Sequence, residues 1–246
     1  MSNRLVVCGV AALLTASAGA SRAEASSIPL LADFTGIGRA EVVSIAGVRT
    51  GTFWAGELNW NWYTPAPSGW TDDFYTYCVD VLKNATYRQA FAIGEMSDKP
   101  TPSPLVANGT LRAAWLFDQY ASDIHEMSPG AIANAHAAAL QLAIWEVLYD
   151  TNFNLKTSAT SVGGFRVTSA SAGVWAVAAV YLNAVHNQGS SLYADATWLD
   201  SVLTTGQDQM TQSPVPEPAT LMLLGGGVAG LAARSRRQRT RDQKTS

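Results

Sequence analysis

Cysteine and histidine are scarce in this chain: its 246 residues include 2 cysteines and 3 histidines. A metal centre built on such ligands needs them at short, fixed intervals. His125, His136 and His186 show no such spacing. Charge is sparse as well, at 14% against a hydrophobic share of 48%, a balance that excludes intrinsic disorder and requires a packed core. The formal net charge of -3 provides no basic excess to hold a polyanion, so nucleic acid is not an expected partner. No phosphate-cradling glycine loop occurs, because the one glycine run, Gly225 to Gly227, lies in an apolar C-terminal stretch. No internal repeat is evident. The length suits one or two domains, and no cofactor is expected.

The two ends of the chain differ from its middle. Arg4 precedes an apolar, small-residue stretch from Leu5 to Ala20, and Ala18-Gly19-Ala20, Ser21-Arg22-Ala23 and Ala23-Glu24-Ala25 each offer a small-residue cleavage site. This is the pattern of a secretory signal peptide over residues 1–25. A retained membrane anchor is the competing reading, and the stretch is short for a span. At the other end, Pro216-Glu217-Pro218 precedes an apolar run from Ala219 to Ala233, and arginines at 234, 236, 237, 239 and 241 follow. As a helix that run is about 22 Å long, a short transmembrane helix against a hydrocarbon core of roughly 30 Å. The arginines would remain cytoplasmic, placing everything before them outside. Motif, weak span and basic stop in this order resemble the PEP-CTERM sorting signal of Gram-negative bacteria, here over residues 214–246; a plain tail anchor is the alternative. The resemblance implies recognition by an exosortase, transient residence in the inner membrane, and delivery to the cell surface or extracellular space. Without the two ends, Lys+Arg falls from 16 to 8 and Asp+Glu from 19 to 16, which leaves an acidic exported domain.

The exported part keeps one cysteine, Cys78, because Cys8 lies in the leader. An odd cysteine in an oxidising compartment is a crosslinking or reactive thiol; a buried inert thiol is the other reading. Asp73 to Val81 reads as a strand. Phe74, Thr76, Cys78 and Asp80 fall on one side, and Tyr75, Tyr77, Val79 and Val81 on the other. The second side is the apolar one, so Cys78 is expected to face polar surroundings or another element. Downstream, Ser128 can cap and Pro129 can open an alanine-rich helix running to Tyr149. Ala137, Gln141, Ile144, Trp145 and Leu148 form one stripe on it, with a primary amide among apolar residues. A buried amide must be paired, by ordinary core hydrogen bonds or by something more specific.

Tyr77-Cys78-Val79-Asp80 followed by Gln141-Leu142-Ala143-Ile144-Trp145 resembles the thioester domain of surface adhesins from Gram-positive bacteria. In that family an aromatic-Cys-Val/Ile segment precedes a Thr-Gln-x-Ala-Ile-Trp motif, and here Leu140 stands in place of the threonine. The resemblance implies an internal thioester between Cys78 and Gln141 in a domain over residues 26–213. It also implies covalent attachment to an amine or hydroxyl of a surface protein or polysaccharide, as a single-use reaction rather than enzymatic turnover. Tyr75, Tyr77 and Trp145 are the candidate shield against water. The alternative is a noncovalent structural or carbohydrate-binding protein of an exopolysaccharide matrix.

The remaining pattern predicts an α+β fold, a β-rich N-terminal part packed against a helical part. Strand-like residues dominate from Glu41 to Phe91. One helix is expected from a Thr110 cap through Leu111, Trp115 and Phe117, and another from Ser169 to His186, stopped near Gly189. Trp54, Trp60, Trp62, Tyr63 and Trp70 belong to a β core or, if exposed, to a sugar-docking surface. A cysteine hydrolase using Cys78 with one of the histidines is disfavoured, because no helix opens at Cys78.

Overall fold

A computed structural model describes residues 30–63, 65–66, 70–95, 106–158, 164–189, 192–202 and 205–213. The expected signal peptide and the expected C-terminal transmembrane helix lie outside these. Four strands come first: β1 (Leu30–Gly47), β2 (Gly51–Trp62), β3 (Asp73–Cys78) and β4 (Arg88–Glu95). Helices α1 (Gly109–Glu126) and α2 (Ala131–Tyr149) follow, then β5 (Phe165–Ser169), α3 (Ala172–Asn187), β6 (Thr197–Ser201) and β7 (Gln209–Thr211).

All named strand pairs are antiparallel. β1 is long enough to pair with β2, β4 and β5, so the circuit β1-β2-β3-β7-β6-β4 returns to β1 and closes a six-strand ring. Closure pairs each of these six strands on both sides, and β5, paired only with β1, lies outside the ring. Trp60 of β2 meets Phe91 of β4 edge-on at 5.4 Å. Those strands are not neighbours, so the contact crosses the inside of the ring, where Ala32 and Leu199 join the cluster. The α+β reading therefore holds in outline. What differs is that β6 and β7, beyond the helices, return to complete the β part.

α2 is the central helix. Every residue from Ala137 to Tyr149 is buried, so the single expected stripe is corrected to burial all round. The physical reason is a three-sided cover by α1, α3 and the β1-β2 hairpin, made possible by Ala137, Ala138, Ala139 and Ala143, which let neighbouring backbones approach. α2 is long and apolar enough to cross a bilayer, yet most of it is buried inside the domain. Its N-cap is Gly130 rather than Ser128, and α1 is capped by Asn108 in the left-handed conformation rather than by Thr110. α3 starts at a Ser171 cap whose hydroxyl accepts from Val174 N–H, because β5 occupies the residues just before it. Gly189 does follow its end with φ 60°.

The aromatic residues ahead of Cys78 divide. Trp60 and Trp62 are buried core, whereas Trp54 and Tyr63 are more than half exposed.

Candidate functional site

β3 is buried from Tyr75 to Cys78, and of the two surroundings expected for Cys78, polar or another element, the structure has the second, helix α2. Tyr75 and Tyr77 turn toward α1, where both pack on Phe117. Thr76 accepts from the Trp60 indole N–H at 2.9 Å and donates to Gln209 Oε1 at 2.9 Å. Cys78 ends the strand, 3% exposed, against α2.

Gln141 is 1% exposed and reaches Cys78 with both ends of its carboxamide. The Cys78 N–H donates to Gln141 Oε1 at 2.9 Å, and Gln141 Nε2 donates to the Cys78 carbonyl at 2.7 Å. This two-point lock fixes the plane and position of the amide against the cysteine that carries the thiol. Residues 63 apart in sequence are thereby joined. The thiol donates to the Asp80 carbonyl at 3.3 Å.

Burial pushes the Cys78 thiol well up from its usual value, and the Asp80 carboxylate adds to this. A thiolate is therefore costly here, whereas a neutral acyl sulfur would not be. None of the histidines bonds the thiol: His125 bonds Glu57, His136 bonds Tyr181, and His186 packs beside Phe153.

The pair opens into a cavity of about 450 Å³, walled by Phe34, Phe53, Trp54 and Trp145 among others. Of the three candidate shield residues, Trp145 lines it; Tyr75 and Tyr77 do not, since their side chains pack toward α1. The segment after Cys78 is fastened from far away in sequence. Arg49 donates to the Val81 and Lys83 carbonyls at 2.9 and 3.1 Å. Gln207 Nε2 donates to the Asp80 and Lys83 carbonyls, and the Tyr149 hydroxyl donates to the Val79 carbonyl. Sequence reasoning missed Arg49, Tyr149 and Gln207, and no local pattern around them signals the role. Among the described residues no cluster of three or more His, Cys, Asp or Glu side chains is arranged to hold a metal.

Residues 214–237 match the PEP-CTERM protein-sorting motif. A match there implies exosortase-dependent sorting, with passage through the membrane to the surface or beyond. Pro216, Glu217 and Pro218 fall inside it. Among solved structures, the chain is similar to the N-terminal domain of the Streptococcus pyogenes pilus tip adhesin Cpa, with 13% identity and a TM-score of 0.39 over 70% of this chain and 87% of that one. No curated protein matches the chain by sequence.

Proposed function

We propose that the exported domain forms an internal thioester between Cys78 and Gln141 and uses it once, to join itself covalently to a nucleophile on a surface or matrix component. The observation that carries the reading is the carboxamide held by two hydrogen bonds on the backbone of the only cysteine in the exported part.

In the forming step, Cys78 Sγ attacks the Gln141 amide carbon and the C–N bond breaks. The thiol proton leaves with the nitrogen as ammonia. The Cys78 N–H already points at the oxygen on which negative charge develops, and a preorganised donor of that kind is worth about 3 kcal/mol in acyl transfer. Holding both groups in one rigid contact contributes up to about 7 to 11 kcal/mol. In the second step an amine or hydroxyl attacks the same carbonyl, gives its proton to the departing sulfur, and leaves the target bonded to Gln141 and Cys78 as a free thiol. Because the thiolate is disfavoured in this site, the neutral acyl state is the low-cost resting form. The apolar part of the cavity wall, with Phe34, Phe53 and Trp145 on it, slows hydrolysis by excluding water.

Mass spectrometry of the intact full chain tests this. The wild type is expected to lack the mass of one ammonia, and Cys78→Ala and Gln141→Ala to show none of that deficit. Methylamine should add to Gln141 and release one titratable thiol. An undiminished mass, together with a thiol that titrates freely in denaturant, overturns the reading.

A further inference from the structure

A second cleft, of about 560 Å³, opens beside the first residues of β3, and neither Cys78 nor Gln141 lines it. That volume suits a small organic ligand or one or two residues of a polymer. Its wall includes Trp70, which is part-exposed and meets Phe74 edge-on at 6.2 Å. The rim carries Asn61, Asp73 and Gln212, all exposed, whose side chains make no hydrogen bond among the described residues. Planar amides and carboxylates offer paired sites suited to vicinal hydroxyls, and an aromatic wall suits the C–H face of a pyranose ring.

The charges narrow the choice further. No lysine or arginine lines the cleft, which removes the usual partners of phosphate, sulfate or uronate. Asp73 is the sole carboxylate lining the cleft, and His125, whose Nδ1 bonds Glu57 at 3.0 Å, lines it as well. A single carboxylate is a poor seat for a polycation. A lipid would need a wall without these uncommitted polar groups.

We infer that this cleft binds a neutral hexose chain, noncovalently and independently of the thioester. To test it, the full-length chain in detergent micelles is titrated calorimetrically with cellotetraose, maltotetraose and mannotetraose, and with tetragalacturonate and an acidic decapeptide. At least one neutral oligosaccharide should bind with Kd about 1 mM or tighter. Asn61→Ala and Asp73→Ala, which remove exposed side chains and disturb no packing, should each weaken it at least about tenfold, and Trp70→Ala should do the same if it folds. Cys78→Ala should bind as the wild type does, so loss of the thioester reading leaves this one standing. No neutral oligosaccharide bound, a preference for galacturonate or the peptide, or undiminished binding by Asn61→Ala and Asp73→Ala overturns the assignment.

Discussion

Single residues decide whether the site can exist. Cys78 is legible in the sequence because the only other cysteine, Cys8, lies in the stretch expected to be a leader. Gln141 is legible because an amide in an apolar helix must find partners. Which partners it finds was not legible: both are backbone atoms of Cys78, and backbone atoms carry no sequence signature. Glu146, one turn beyond Gln141, is a further buried polar group that the motif reading did not use. It is fully buried, its Oε1 accepts from Asn154 N–H at 2.9 Å, and Oε2 has no hydrogen-bond partner among the described residues. Burial, with a smaller addition from Asp150, pushes its pKa up from 4.5 to about 8. Between those values the folded protein holds a proton that the unfolded chain has released, so stability falls as pH rises through that window. Glu146→Gln keeps the acceptor and removes the titration. It is expected to match the wild type near pH 4 and to be about 4 kcal/mol more stable near pH 8, as measured by urea unfolding at both pH values; equal stability at pH 8 would count against a buried, proton-holding Glu146.

At the scale of elements, the helices were easier to read than the strands. α2 announces itself by alanine content and length, because helical hydrogen bonds are local. β6 and β7 are short and close the ring only through partners far along the chain, so nothing in their own residues specifies the pairing. The β1-β2 hairpin shows how finely that ring is fitted. β1 has an irregularity between Ile37 and Ala40, and Gly56 opposite Ala40 adopts φ 143°. A Cβ at position 56 would collide with the Arg39 carbonyl oxygen and with Ala40. Both obstacles belong to the backbone or to a side chain fixed at its base, so neither can step aside. Gly56→Ala is expected to lose about 3 kcal/mol or more, read as a lower midpoint in thermal unfolding followed by circular dichroism.

For the whole molecule, the path of the chain sets where Cys78 and Gln141 lie relative to its last described residues. Cys78 pairs with Gln209, and the last described residue, Ser213, lies about 13 Å further on at extended-strand spacing. The sorting motif begins at residue 214. The antiparallel pairing of β3 and β7 thus carries the described chain away from Cys78, and its last residues, Gln212 and Ser213, line the second cleft rather than the cavity beside Cys78. Replacing Pro216, Glu217 and Pro218 by alanine is expected to abolish processing, so that the uncut chain stays in the membrane fraction on immunoblotting while wild-type protein reaches the surface or medium. The sequence alone determined the acidic composition of the stretch between the two ends, its single cysteine, the central helix and the sorting motif. Each of these is a property of consecutive residues or of a simple count. Only the tertiary structure decided that the strands close into a ring, that Gln141 grips the Cys78 backbone, and that Arg49 and Gln207 fasten the segment behind it. Contacts between residues tens of positions apart exist only once the whole core has packed, and no local pattern encodes their geometry.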